Sequence, residues 1–112
     1  MMAADQVHES DLLWHMLKAL GHPVRLEIVR FVRAHPCCIC NEILLHLPDN
    51  CSRAQSTLSQ HLKILREAGL IVADFDGSMT TYTIHHDHFD WLGEQLAQLS
   101  GGHAEVRSMY ED

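Results

Sequence analysis

Three of the four cysteines in this 112-residue chain, Cys37, Cys38 and Cys40, are crowded into the run CCIC, and the fourth, Cys51, follows in a short polar loop. Thiolates are soft ligands, so such a group suits thiophilic metals and metalloids better than hard cations such as Mg²⁺. Adjacent or alternate cysteines strain to pair with one another, which turns the reading from a structural disulfide toward ligands or redox sensors. On a regular helix, positions two apart point about 200° apart, so Cys38 and Cys40 grip one ion only if the first helical turn opens. Cys37 and Cys40, three apart, share a face. A site using all three therefore favours a distorted helix start, and ligand binding would move the helix that precedes the next one. A helix N-terminus also lowers a thiol pKa. The competing readings of the same residues are reversible thiol oxidation and silent burial as small apolar side chains.

The helix that such a cluster would disturb lies just downstream, in SRAQSTLSQHLKILREAGL from Ser52 to Leu70. Leu58, Leu62 and Leu65 recur at spacings of four and three and stack on one helical face. The other face is short and polar. Arg53, Gln55, Ser56, Thr57, Ser59, Gln60, His61 and Lys63 are the types a major-groove helix uses: Gln bidentate to adenine, Ser and Thr to several acceptors, Lys and Arg to phosphate. A solvated face of an ordinary core helix is the alternative. Ser52 with Gln55 three residues later has the form of a capping box, and Gly69 sits where a helix stops, so the helix is expected from about Arg53 to Ala68.

The elements before and after complete a pattern. Val7, Leu12, Leu13, Met16, Leu17 and Leu20 give an amphipathic first helix from about Gln6 to Leu20. Pro23 suits the first position of a second, PVRLEIVRFVRA, closed by His35-Pro36. CCICNEILLHLP reads as a short third helix ended by Pro48. After Leu70 the period falls to two, and Asp76-Gly77 supplies a tight turn between two strands, a hairpin. Asp87 to Leu99 is a last helix, with Phe89, Leu92, Leu96 and Leu99 on one stripe. Residues 1–100 are expected to form one domain and 101–112, which begin with two glycines, a frayed tail. Short helix, turn, polar-faced helix and hairpin are the layout of a winged helix-turn-helix, mainly α with a small β-hairpin.

Composition narrows the function. No apolar run reaches the roughly 18 to 20 residues of a membrane span, and MMAADQVHESD lacks the regions of a signal peptide, so the expected setting is cytoplasmic with no membrane partner. The net charge is −7, which argues against a wholly basic nucleic-acid binder. Arg53, Lys63 and Arg66 against Glu67 nevertheless leave Ser52–Gly69 at +2 and the remainder at −9. A weakly basic helix on an acidic body can bind operator DNA with few phosphate contacts and a modest salt dependence. The expected wing, DFDGSMT, carries Asp74 and Asp76 and would repel a phosphate backbone. No phosphate-cradling glycine loop or substrate-sized domain supports an enzyme such as a thiol oxidoreductase.

GHPVRLEIVRFV, the Cys-x-Cys at the third helix and AQSTLSQHLKILREAGLI before a hairpin together resemble the ArsR/SmtB family of metal- and metalloid-responsive bacterial repressors, over roughly Leu12 to Leu99. The resemblance implies a homodimer built through the first and last helices, with Trp14 and Trp91 assigned to its core. It implies operator DNA as partner and release by an inducer, arsenite or antimonite, at Cys37, Cys38, Cys40 and Cys51. The family's arsenic and antimony sensors place a third cysteine where this chain has Ile43, so Cys37 or Cys51 must supply the third thiol. A second metal site, for zinc or cadmium, is implied more weakly by His86 and His88, which match the first ligand pair of the family's zinc-type sensors, with His103 near the second. The alternative there is an exposed histidine-rich helix start capped by Asp87. Two further alternatives are a thiol redox or persulfide sensor of the same fold and an interaction module without DNA binding.

Overall fold

The computed structural model describes the backbone of residues 2–47 and 55–101 and the side chains of 11–47 and 55–101. The expected capping box at Ser52, together with Arg53, Cys51, His103 and the tail beyond Gly101, lies outside them. Five helices and three strands follow in order: α1 (Met2–Leu20), α2 (Pro23–Ala34), β1 (Cys38–Ile39), α3 (Cys40–His46), α4 (Gln55–Glu67), β2 (Ile71–Asp76), β3 (Met79–Ile84) and α5 (His86–Ser100). The winged helix-turn-helix is present, with α3 and α4 as its two central helices.

Each helix is anchored by apolar residues on one face, though the expected Leu17 of α1 and Leu96 and Leu99 of α5 are exposed. Met16 and Ala19 of α1, Ile28 and Val32 of α2, Ile43 of α3, and Leu58, Leu62 and Leu65 of α4 form one core with Leu70, Ile71, Tyr82 and Leu92. Full burial of a Leu, Ile or Met side chain contributes about 1.5–3 kcal/mol, so this cluster outweighs any surface pair. The α1–α2 corner is closed by Gly21, whose amide donates to the Leu17 carbonyl at 2.9 Å. His22 then caps α2: its Nδ1 accepts from the Val24 amide at 3.1 Å, and Pro23 occupies a first-turn position that needs no donor.

The helix start expected at the cysteines is not where the chain puts it. Cys37 takes a left-handed conformation, φ +64°, which costs a residue with a Cβ about 1–2 kcal/mol. Cys38 and Ile39 are extended and pair with Tyr82 and Thr81 of β3. The hairpin is thus a three-stranded antiparallel sheet in the order β1-β3-β2. The helix begins only at Cys40, with Ile39 as its cap and the Ile39 amide donating to Glu42 Oε1 at 2.9 Å. Cys37 and Cys40 therefore do not share a helical face, because only one of them is on the helix.

At the other end of α4 the expected stop is present in full. Gly69 has φ +81°, its amide donates to the Arg66 carbonyl and that of Leu70 to the Leu65 carbonyl, both at 3.0 Å. These are the paired bonds of a Schellman motif. From there β2 and β3 run in register from Ile71 opposite Ile84 to Asp76 opposite Met79. Asp76 is thereby a paired strand residue, and the turn is Gly77-Ser78, one place beyond the expected dipeptide. Positive φ at Gly77 alone fits a type II′ turn, which places glycine first.

Candidate functional site

The polar face of α4 is open to solvent. Gln55, Ser56, Ser59, Gln60 and Lys63 are exposed and Thr57 is half-buried, while the three leucines on the opposite face hold the helix to the core. His61 behaves differently. Its ring packs 4.8 Å from that of His22, and its Nδ1 lies 3.4 Å from an Arg25 terminal nitrogen. Burial first, then the positive fields of His22 and Arg25, holds its pKa below the ordinary histidine value. Arg25 is itself tied down, with Nε donating to the Ala19 carbonyl at 2.6 Å. The structure thus turns His61 toward the α1–α2 corner, away from the exposed row of Gln, Ser and Lys. Lying between the two faces of the helical period, His61 is open on sequence to either packing or phosphate contact, and the structure packs it.

The wing beside this helix is acidic and apolar at its tip. Asp74, Asp76, Phe75 and Met79 are all exposed, with Phe75 71% accessible. No arginine or lysine lies on β2 or β3, so neither strand offers a cation to a phosphate backbone.

The three described thiols occupy three different environments. Cys37 is exposed, Cys38 is buried at 2% accessibility, and Cys40 is half-buried. Burial pushes the Cys38 thiol pKa up, and the nearby Glu42 and Cys37 add to that rise against a backbone hydrogen bond that lowers it. Burial likewise pushes up Cys40. The expected lowering by a helix N-terminus is overturned for both: Cys38 is not on the helix, and desolvation dominates at Cys40. Among the described residues, no three His, Cys, Asp or Glu side chains are gathered in a metal-holding arrangement, so the thiols stand near one another without converging. The buried Tyr82, opposite Cys38 in the sheet, is a member of this neighbourhood that the sequence did not mark.

The histidines at α5 are occupied structurally. His85, not Asp87, caps the helix, its Nδ1 accepting from the His88 amide at 3.3 Å. The His85 and His88 rings stack at 3.6 Å with planes 6° apart. His88 Nδ1 donates to the Gly69 carbonyl at 2.6 Å, which joins the start of α5 to the end of α4. His86 is exposed. The arrangement leaves His88 only its other ring nitrogen for a ligand.

Residues 20–72 match the model of a helix-turn-helix domain family. Over 81 residues the chain is 31% identical to the arsenical resistance operon repressor of Staphylococcus xylosus, covering 72% of this chain and 73% of that one. Over 80 residues it is 35% identical to the HTH-type transcriptional repressor SmtB of Mycobacterium tuberculosis (strain ATCC 25618 / H37Rv), covering 70% of this chain and 54% of that one. Among solved structures, it superposes with a TM-score of 0.64 on the homodimeric winged helix-turn-helix DNA-binding domain of a possible ArsR-family transcriptional regulator from Mycobacterium bovis, at 23% identity over 85% of this chain and 82% of that one. A winged helix whose central helix exposes a row of glutamines, serines and a lysine defines a DNA-binding regulator. The chain belongs to the ArsR/SmtB family of transcriptional repressors. Its relatives are regulators rather than enzymes, and no described helix is long and apolar enough to cross a membrane.

Proposed function

We propose that this protein is a homodimeric repressor that leaves its operator when arsenite or antimonite binds the cysteines. The observation that carries the reading is the position of the thiols. Cys37, Cys38 and Cys40 occupy the junction where the wing sheet meets α3, the helix that precedes α4, so a ligand there is in a position to act on both the wing and the helix-turn-helix. The arsenical resistance repressor among its relatives supports the same inducer class. The chemistry suits thiols whose pKa is raised. Each S–H that condenses with an As–OH forms one As–S bond and releases one water, so the proton leaves with the hydroxyl and no free thiolate accumulates. Persulfide or disulfide chemistry begins from a thiolate, which burial of Cys38 and Cys40 disfavours.

Dimerisation is supported by exposed apolar residues on the two helices expected to carry it. Trp14 and Leu17 on α1 and Leu96 and Leu99 on α5 are exposed, Leu99 at 70%, and the mycobacterial structure it resembles is a homodimer.

The test is a set of variants that spare the fold. Cys37→Ser and Cys40→Ser are tolerable at exposed and half-buried positions, whereas Cys38 calls for valine, because serine would bury a hydroxyl. Each is expected to hold operator DNA as tightly as the parent and to need far more arsenite for release. Variants that lose DNA binding together with the response would show the cysteines to be structural.

A further inference from the structure

Cys38 cannot leave its place without disturbing the wing. Its partner across the sheet is Tyr82, and directly opposed residues of an antiparallel pair set their side chains side by side on one face. Both are buried. Two more ties hold this segment to Tyr82: the Cys37 amide donates to the Tyr82 carbonyl at 3.0 Å, and the Cys38 thiol points at that carbonyl from 3.9 Å. Cys37, by contrast, is exposed. An ion gripped by Cys38 together with its neighbours needs the Cys38 sulfur drawn out of the core.

We infer that inducer binding is transmitted through the wing: withdrawing Cys38 from beside Tyr82 strips β1 off β3, and Tyr82 is the positioning residue that holds the DNA-binding form. This rests on the reading that the cysteines take the inducer. The sheet is built for such a separation. β1 contributes two residues, whereas β2 and β3 pair over six, so the short strand can leave while the hairpin stays closed. The left-handed Cys37 at its start also stores strain that unpairing relieves.

The experiment is amide hydrogen exchange on the reduced full chain with and without arsenite, resolved at Cys37 and along β2 and β3, beside an operator-binding titration. Arsenite is expected to release the DNA and to speed exchange at the Cys37 amide by about tenfold or more, with the β2–β3 ladder still protected. Release with Cys37 exchange unchanged would overturn transmission through β1 and leave the cysteine reading standing. Arsenite that neither binds nor releases would remove that reading and this inference with it. Two variants separate positioning from mere packing. Tyr82→Ala leaves less to displace, so it is expected to bind arsenite about fivefold tighter or more while holding DNA less well. Tyr82→Phe keeps the ring and is expected to follow the parent. A Tyr82→Ala protein that binds both arsenite and DNA more weakly would contradict the inference, and if that variant fails to fold, exchange in the parent decides.

Discussion

Gly69 shows how tightly single residues are fixed where the reading helix ends. Its φ is +81°, and a Cβ added there would lie 2.7 Å from His88 Nδ1. That ring cannot simply swing away, because it is bonded to the Gly69 carbonyl. Gly69→Ala is therefore expected to cost about 1–3 kcal/mol, from backbone strain and the displaced ring together, read as a lower midpoint in urea. His61 gives a prediction in pH. Its folded pKa lies below the ordinary value of 6.5, so the unfolded chain takes the proton more readily. The stability that neutral His61 contributes is complete above that value and is lost as pH falls from it toward the lower folded one. Melting temperature is expected to drop across this interval, and His61→Gln to flatten the drop. An unchanged slope in that variant would mean that the His61 environment is more open than the contacts with His22 and Arg25 indicate.

The elements were legible wherever a period ran long enough. Leu58, Leu62 and Leu65 placed α4, Pro23 opened α2, and Gly69 closed α4, each by a local rule that tertiary structure did not override. β1 was invisible for the opposite reason. Two residues have no period, and what makes Cys38 and Ile39 a strand is a partner more than forty positions away in β3. The α5 cap was misread because aspartate is the commoner cap, while the geometry gives the role to His85. Cys37 tests the element directly. Since its φ of +64° suits glycine, Cys37→Gly is expected to keep β1 paired and to stabilise the fold by about 0.5–1 kcal/mol despite losing a side chain. Denaturant unfolding checks the sign. The same variant should respond less to arsenite if Cys37 supplies a thiol.

For the whole molecule, composition set limits and the structure distributed them. The chain carries −7 overall, and on the proposed DNA-reading helix α4 Lys63 and the neutral Gln and Ser row are exposed beside an acidic wing. A protein so arranged is expected to hold DNA with a shallow salt slope, since few phosphates are neutralised. Its binding should depend on dimer formation, because two half-sites are read together. Leu99→Glu, placed on the exposed stripe of α5, is expected to shift the protein to monomer in sedimentation and to lower operator affinity by at least about tenfold. A variant that stays dimeric would move the interface elsewhere. The identity of the dimer surface was not readable from periodicity, which marks apolar faces without saying what covers them.

On the proposed function, a thiophilic ligand at the cysteines decides whether DNA is held. Fluorescence anisotropy of the reduced protein on its own promoter fragment, titrated in parallel with arsenite, antimonite, zinc, cadmium and a polysulfide, tests it most directly. High anisotropy that falls with arsenite or antimonite, and persists with arsenite in the Cys40→Ser variant, is the predicted result. Release by zinc alone or by polysulfide alone, or no binding to begin with at low salt, would contradict it.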